Sequence, residues 1–263
     1  MVPNPNLPDL DNLRPHLDIP SINTGFHSPL ITSSGIVTDD IEGLNAVLDE
    51  HGFLMLQSGI EFPLHAYRGQ PEEHVPCLPT LGRLKNPEDQ LLALCRNAAF
   101  EEAIGEHPFI RLSKQTKFLG YPLRVDTQGL AQHYGLATNL LDFTSNFDVA
   151  SFFAVCYWDK KIREYRPVVE SENPGVIYRI TPWIFVGTNI GGAEFKIVGW
   201  QPLNRPEQQR AFGLKMERGM ALNMLPSVQM VKFRHCAKIS NRIWKIFDKG
   251  RTLFPDDAVG ELA

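Results

Sequence analysis

The sequence predicts an α+β fold: a single domain of mixed or antiparallel strands with helices between them, led by an extended N-terminal arm. Three observations predict it. Of 263 residues, 43% are hydrophobic and 21% charged, enough apolar material for a large core and too much for extensive disorder. Short β-branched or aromatic runs at Val176–Thr181, Phe195–Trp200 and Val228–Phe233 are interspersed with helical patterns. They do not follow strict βαβ alternation, which argues against a doubly wound sheet. The opening residues stand apart, with Pro3, Pro5, Pro8, Pro15, Pro20 and Pro29 set among Asn, Asp and Ser.

Those prolines disfavour regular helix and favour extended or turn backbone. Residues 1–35 therefore read as an arm lying on the body or on a partner, and residues 36–263 as the domain. Deleting residues 1–30 is expected to leave the melting temperature within a few degrees. The body opens on Thr38-Asp39-Asp40-Ile41, which reads as an N-cap and an acidic first turn. Ile41, Leu44, Val47 and Leu48 follow at helical spacing, with Gly52 at the C-terminal position. Phe53–Gln57 and Leu64–Arg68 read as strands. Asn86-Pro87-Glu88 starts a helix with proline in its first turn, running to about Ile104 before Gly105. A second helix covers Thr127–Tyr134 and stops at Gly135. A strand at Leu140–Phe143 then leads to a helix capped by Asn146, with Val149, Phe152, Phe153 and Cys156 as core. A last helix is expected near Ser240–Asp248.

The formal net charge of −4 argues against a generic nucleic-acid binder. Cys77, Cys95, Cys156 and Cys236 are far apart and form no CxxC pair, so no zinc site is expected. The longest apolar run, Val149–Trp158, is too short to span a bilayer. No Arg/Lys-led apolar stretch opens the chain, and a reduced, cytoplasmic protein is expected. No P-loop, GxGxxG, HExxH or GxSxG pattern is present.

Two segments carry candidate chemistry. In Tyr67-Arg68-Gly69-Gln70 an arginine ends an apolar strand and a glycine follows. The guanidinium fork suits a phosphate or carboxylate, and the glycine lets backbone approach a ligand. The alternative is a surface salt bridge beside a turn glycine. Between Gln132 and Ser145, hydrogen-bonding side chains crowd around short apolar anchors. His133 suits polarising or hydrogen-bonding a ligand, Tyr134 stacking on a ring, and Asp142 orienting a basic group. Thr144 and Ser145 offer hydroxyls at a helix entrance. The competing reading is a helix end followed by an N-cap cluster, which is preferred for Asn146.

Taken together these segments resemble the FRG domain. Tyr67-Arg68-Gly69-Gln70 with Cys77-Leu78-Pro79-Thr80-Leu81 and Arg83 is similar to one block of that family. Gln132-His133-Tyr134-Gly135-Leu136, Thr138 and Leu140-Leu141-Asp142-Phe143-Thr144, with Ala150 and Phe153-Ala154, resemble its central block. Leu253-Phe254-Pro255-Asp256 resembles its closing block. The family has Pro and Arg where this chain has Ala137 and Asn139, and its later Gln-x-Gly-x-Phe element is only partly echoed by Gln209–Gly213.

The family's layout is in turn similar to the ADP-ribosyltransferase fold, known from toxins and effectors. That resemblance implies NAD as substrate and no metal. It implies a cofactor-binding set of Arg68, Gly69, Gln70, His133, Tyr134, Thr144 and Ser145. Arg68 would clamp the pyrophosphate, Thr144 and Ser145 position the ribose, His133 bond a ribose hydroxyl, and Tyr134 stack on nicotinamide. Arg68, His133, Tyr134 and Gln209 form the implied catalytic set, with Glu207 and Glu217 as other candidates for the group that stabilises the leaving ribose. The expected acceptor is a macromolecule, protein rather than nucleic acid, with no membrane partner. A non-catalytic nucleotide- or protein-binding module and an NAD glycohydrolase are the alternatives.

Overall fold

The computed structural model describes residues 6–18, 30–32, 35–38, 44–48, 52–58, 64–185, 190–198, 201 and 203–255. It opens with a helix, α1 (Leu10–Leu17), inside the segment read above as an extended arm. The Asp9 side chain accepts from the Asn12 amide and caps it. Leu10, Leu13 and Leu17 fall on one face and are buried in the same apolar cluster as Tyr67, Phe147 and Ile243. Pro15 lies inside this helix on its exposed side. An interior proline costs about 3 kcal/mol, whereas each buried leucine contributes about 1.5–3 kcal/mol. Three leucines in register outweigh one proline, so tertiary burial overrides the local preference. Arg14 pairs with Asp148 and Arg242 with Asp11, which ties α1 to the body.

A four-stranded antiparallel sheet follows, from β1 (Leu30–Thr32), β2 (Gly35–Thr38), β3 (Leu44–Leu48) and β4 (Leu54–Ser58) in that order. The helix expected from Thr38 onward is therefore not formed. Thr38 ends β2, and β3 pairs with β4 from Leu44↔Ser58 to Leu48↔Leu54. Gly52, at φ +80°, lies between these strands where the chain reverses. Leu44, Val47 and Leu48 suit a helix face, but they also lie in a run that pairs residue for residue with its neighbour. Ile41 lies outside the described residues.

The larger sheet begins with β5 (Ala66–Gln70). The short helix α2 (Thr80–Arg83), then α3 (Pro87–Gly105) and α4 (Pro108–Gln115), lead to the hairpin β6 (Lys117–Phe118) and β7 (Tyr121–Pro122). Next come α5 (Thr127–His133), β8 (Leu140–Thr144), α6 (Phe147–Val155) and a second hairpin, β9 (Cys156–Asp159) with β10 (Glu164–Pro167). The chain closes with β11 (Gly175–Ile180), β12 (Ala193–Ile197), α7 (Asn204–Gln208), β13 (Ala211–Met216), β14 (Gln229–Phe233) and α8 (Ala237–Ile246). Six of these strands form one sheet in the order β12-β13-β8-β5-β11-β14, every neighbouring pair antiparallel. The α+β class stands. Local signals hold where they were strongest. Asn86 caps α3 with Pro87 in the first turn, α5 stops before Gly135 at φ +85°, and Asn146 caps α6 through the Asp148 and Val149 amides.

Both faces of this sheet are covered. Val176, Tyr178 and Ile180 of β11 join Leu141, Phe143 and Phe212 in one cluster, while Ile177 joins α1, α6 and α8 on the other face. This alternation is the pleat of a doubly buried strand. Phe152 is fully buried, as expected of the α6 face; Phe153 is half-buried, in edge-on contact with Phe254. Cys156 is buried too, but it opens β9 instead of ending the helix. Among the described residues no helix is long and apolar enough to cross a membrane.

One contact gives the fold a pH dependence. The His235 Nε2 donates to the Pro71 carbonyl at 2.8 Å, and its Nδ1 is buried with no hydrogen-bond partner among the described residues. Burial holds this imidazole below its ordinary value of 6.5. The unfolded chain therefore takes up the proton more readily. The stability that neutral His235 contributes is complete above pH 6.5 and is lost as pH falls through the depressed folded value. His65, lowered by burial and by Arg179, acts in the same sense. The urea midpoint should drop on acidification, and drop less in His235→Gln, which keeps a donor for Pro71 and has no proton to gain. Equal drops in the two proteins would show that His235 is not a source of the acid sensitivity.

Candidate functional site

The centre of the larger sheet is split. β5 and β8 pair at one position only, Tyr67↔Thr144. A continued ladder would next set Gly69 opposite Asp142, but the Asp142 carbonyl instead accepts from Arg68 Nη1 at 2.9 Å. The guanidinium thus occupies the gap between two diverging strands and satisfies a carbonyl that the ladder leaves open. Its side chain is only 16% exposed.

The Asp142 carboxylate, 41% exposed, is the hub of the notch that results. Oδ2 accepts from Gln132 Nε2 at 3.0 Å and lies 4.0 Å from Arg68 Nη1. Oδ1 lies 3.9 Å from His133 Nε2. The Thr138 hydroxyl donates to Gln132 Oε1 and accepts from the Leu140 amide, so the turn between α5 and β8 holds Gln132 in place.

His133 is buried and its tautomer is determined by its neighbours. Gln209 Nε2 donates to the Leu253 carbonyl at 3.0 Å, which turns its Oε1 toward His133 Nδ1 at 3.1 Å. An amide oxygen can only accept, so Nδ1 carries the proton and Nε2 faces Asp142. Thr144 Oγ1 donates to the Gln209 carbonyl at 2.7 Å and accepts from the Asn146 amide at 3.0 Å. Arg68, Asp142, His133, Gln209 and Thr144 are therefore one connected network.

Other residues singled out in the sequence lie elsewhere. Gly69 faces α6, where an added Cβ would sit 1.9 Å from the Ala150 carbonyl oxygen. Its close backbone approach is to a helix. Gln70 is buried on the opposite face, accepting from the Cys77 thiol at 3.7 Å. Tyr134 is 4% exposed, with the Arg205 guanidinium 4.7 Å over its ring and Phe100 beside it. The Ser145 amide donates to Arg210. Glu207 and Glu217 are exposed, Glu207 on α7 and Glu217 beyond the far end of β13 from Gln209.

Gln132 carries no role in the sequence reading, yet it holds the Asp142 carboxylate at this notch. Burial first, and then the Asp142 charge, hold the Tyr165 phenol above its usual range. One local signal was available: Asp142 places a carboxylate inside an otherwise apolar strand, Leu140–Phe143, where a charge needs partners.

Residues 64–162 match the family model of the FRG domain. No curated protein and no solved structure matches the chain. The matched segment contains Arg68, Gln132, His133, Asp142 and Thr144, and it stops short of the Gln209 brace. Over that stretch, from the approach to β5 through the first hairpin strand after α6, this chain is similar to the FRG domain.

Proposed function

We propose that the notch around Asp142 binds the diphosphate of NAD and that the protein transfers ADP-ribose from it to a protein acceptor. One observation carries this reading: two basic side chains far apart in the chain, Arg68 and His133, are brought to the two sides of one half-exposed carboxylate. Arg68 spends Nη1 on a carbonyl and keeps Nε uncommitted among the described residues, leaving donors for a phosphate. In the transfer, the C1′–N bond breaks and its electron pair leaves with nicotinamide. Positive charge builds on the ribose, and Asp142 is the carboxylate placed to stabilise it. The acceptor nucleophile then bonds C1′, and its proton passes to the Asp142–His133 pair.

A second reading, a binding module without turnover, also has a specific observation in its favour. The Gln209 amide stands where the resemblance puts a catalytic group, and both its ends are committed, to His133 and Leu253. Mass spectrometry after incubation with NAD separates the readings by added ADP-ribose, free nicotinamide alone, or unaltered NAD. In calorimetry, Arg68→Ala should weaken NAD binding by about 1.5–3 kcal/mol, the range of a charged hydrogen bond. Arg68→Lys, which keeps charge but loses the fork, should fall between it and wild type. Equal affinities in the three proteins would remove Arg68 from the site, and binding without turnover would favour the module.

A further inference from the structure

A cavity of about 500 Å³ lies apart from the notch, and none of Arg68, Asp142, His133, Gln209 and Thr144 lines it. Its apolar lining comes from Leu78 and Pro79 ahead of α2, Leu81 on α2, Leu94 on α3, Met216 at the end of β13 and Met220 in the turn that follows. Backbone groups tie these walls together. The Leu222 amide donates to the Cys77 carbonyl at 2.9 Å and the Cys77 amide to Asn223 Oδ1 at 3.0 Å, which fastens the stretch before α2 to the stretch after β13. The Leu81 amide donates to the Thr138 carbonyl at 3.0 Å, and the Glu217 amide to the Gly192 carbonyl at 2.7 Å. The cavity is thus preformed, and small-molecule sites occupy a similar range, about 300–1,000 Å³. Leu94 is 51% exposed, apolar surface that an occupant would take out of water.

The charge at the mouth selects the occupant. Lys215 and Arg218 line the same cavity and are exposed. Neither side chain has an ion pair or hydrogen bond among the described residues. The two carboxylates of the lining are already engaged. Glu194 pairs with Lys196, and Glu217, whose Oε2 lies 3.2 Å from where a Cβ on Gly192 would sit, has a partner of its own. The uncompensated charge is therefore positive, beside an apolar interior.

We propose that this cavity binds a small amphipathic carboxylate, with its apolar body among Leu81, Leu94, Met216 and Met220 and its carboxylate at Lys215 and Arg218. The site is separate from the NAD reading and does not rest on it. The walls supply the apolar contact, and the two cations set the direction in which the molecule enters.

Titration calorimetry on the full chain with octanoate, and with octylammonium as the probe of opposite charge, tests this. Wild type should bind octanoate, and octylammonium several-fold more weakly, the size of effect expected of exposed charges. Gly82→Leu fills the cavity: an added Cβ there meets Leu78 at 3.6 Å and Pro79 at 3.8 Å, ordinary contacts, and both residues belong to the lining. It should bind octanoate roughly tenfold more weakly, because the alkyl chain no longer leaves water. The double variant Lys215→Gln, Arg218→Gln, at two exposed positions, should keep the melting temperature and lose the preference for octanoate over octylammonium. Arg68→Ala, outside the cavity, should bind octanoate as wild type does. No octanoate binding to wild type, equal affinities for the two probes, or equal octanoate affinity in wild type and Gly82→Leu would each overturn the site. So would a preference that survives in the double variant, or loss of octanoate binding in Arg68→Ala, which would place the carboxylate at the notch.

Discussion

Removal of residues 1–18 should abolish cooperative folding near room temperature, even though this segment is rich in proline and reads as an arm. Leu10, Leu13 and Leu17 are each 9% exposed or less, packed with Phe147, Val149 and Ile243. Truncating one buried leucine to alanine costs about 2–5 kcal/mol. Losing three approaches the entire stability of a typical domain, about 5–15 kcal/mol. The deletion also removes the Leu17 carbonyl that accepts from the Tyr67 hydroxyl at 2.9 Å, and the Asp11 carboxylate that pairs with Arg242. Circular dichroism melts of residues 19–263 against the full chain give the test, with Leu17→Ala as the graded variant at about 2–5 kcal/mol. A sharp melt within a few degrees of the full chain would mean that α1 is an accessory after all.

Gly69→Ala should cost about 3 kcal/mol or more, at or above the upper end of ordinary overpacking. The added methyl would sit 1.9 Å from the Ala150 carbonyl oxygen and 2.7 Å from the Ala154 amide nitrogen. Both obstacles are helix backbone, so no side-chain rotation relieves them. β5 cannot retreat either, since it is hydrogen-bonded to β11 from Ala66 to Gln70. Gly213→Ala is the contrasting case: its nearest contact is the flexible end of Leu140 at 3.3 Å, and the cost should be well below that at Gly69. Urea denaturation of both variants decides it. Should Gly69→Ala cost no more than Gly213→Ala, the close approach of β5 to α6 is not what holds glycine there. The same contact explains why small residues recur at Ala150 and Ala154: one turn apart on α6, they leave room for the strand.

The Gly69 contact shows how a motif divides its labour. Tyr67 and Gly69 face α6 and the buried cluster around it, while Arg68 and Gln70 face the other side. Half of the Tyr-Arg-Gly-Gln run thus serves packing, and the resemblance that names all four residues together cannot separate the two uses. The period of two along a strand separates them.

What the sequence determined by itself is what short-range physics governs. Asn86-Pro87 starts α3, Gly135 stops α5 and Asn146 caps α6, because a cap or a positive φ depends on residues a few positions away. The α+β class followed from periodicity, and the position of His133 at the end of α5 followed from that boundary; Arg68, expected to end its strand, lies in the middle of β5 because pairing with β11 carries the strand on to Gln70. Long-range partners decided the rest. Leu10–Leu17 is a helix because a distant hydrophobic face accepts its leucines, and Leu44–Leu48 is a strand because Leu54–Ser58 lies beside it. Asp142 became the hub because β5 and β8 diverge after one pair, and the His133 proton was placed by a glutamine whose other end is held at Leu253. Local propensities other than proline's differ by less than the energy of burying a leucine, and three buried leucines exceed even a proline's cost in α1, so tertiary contacts settle the outcome where the two disagree.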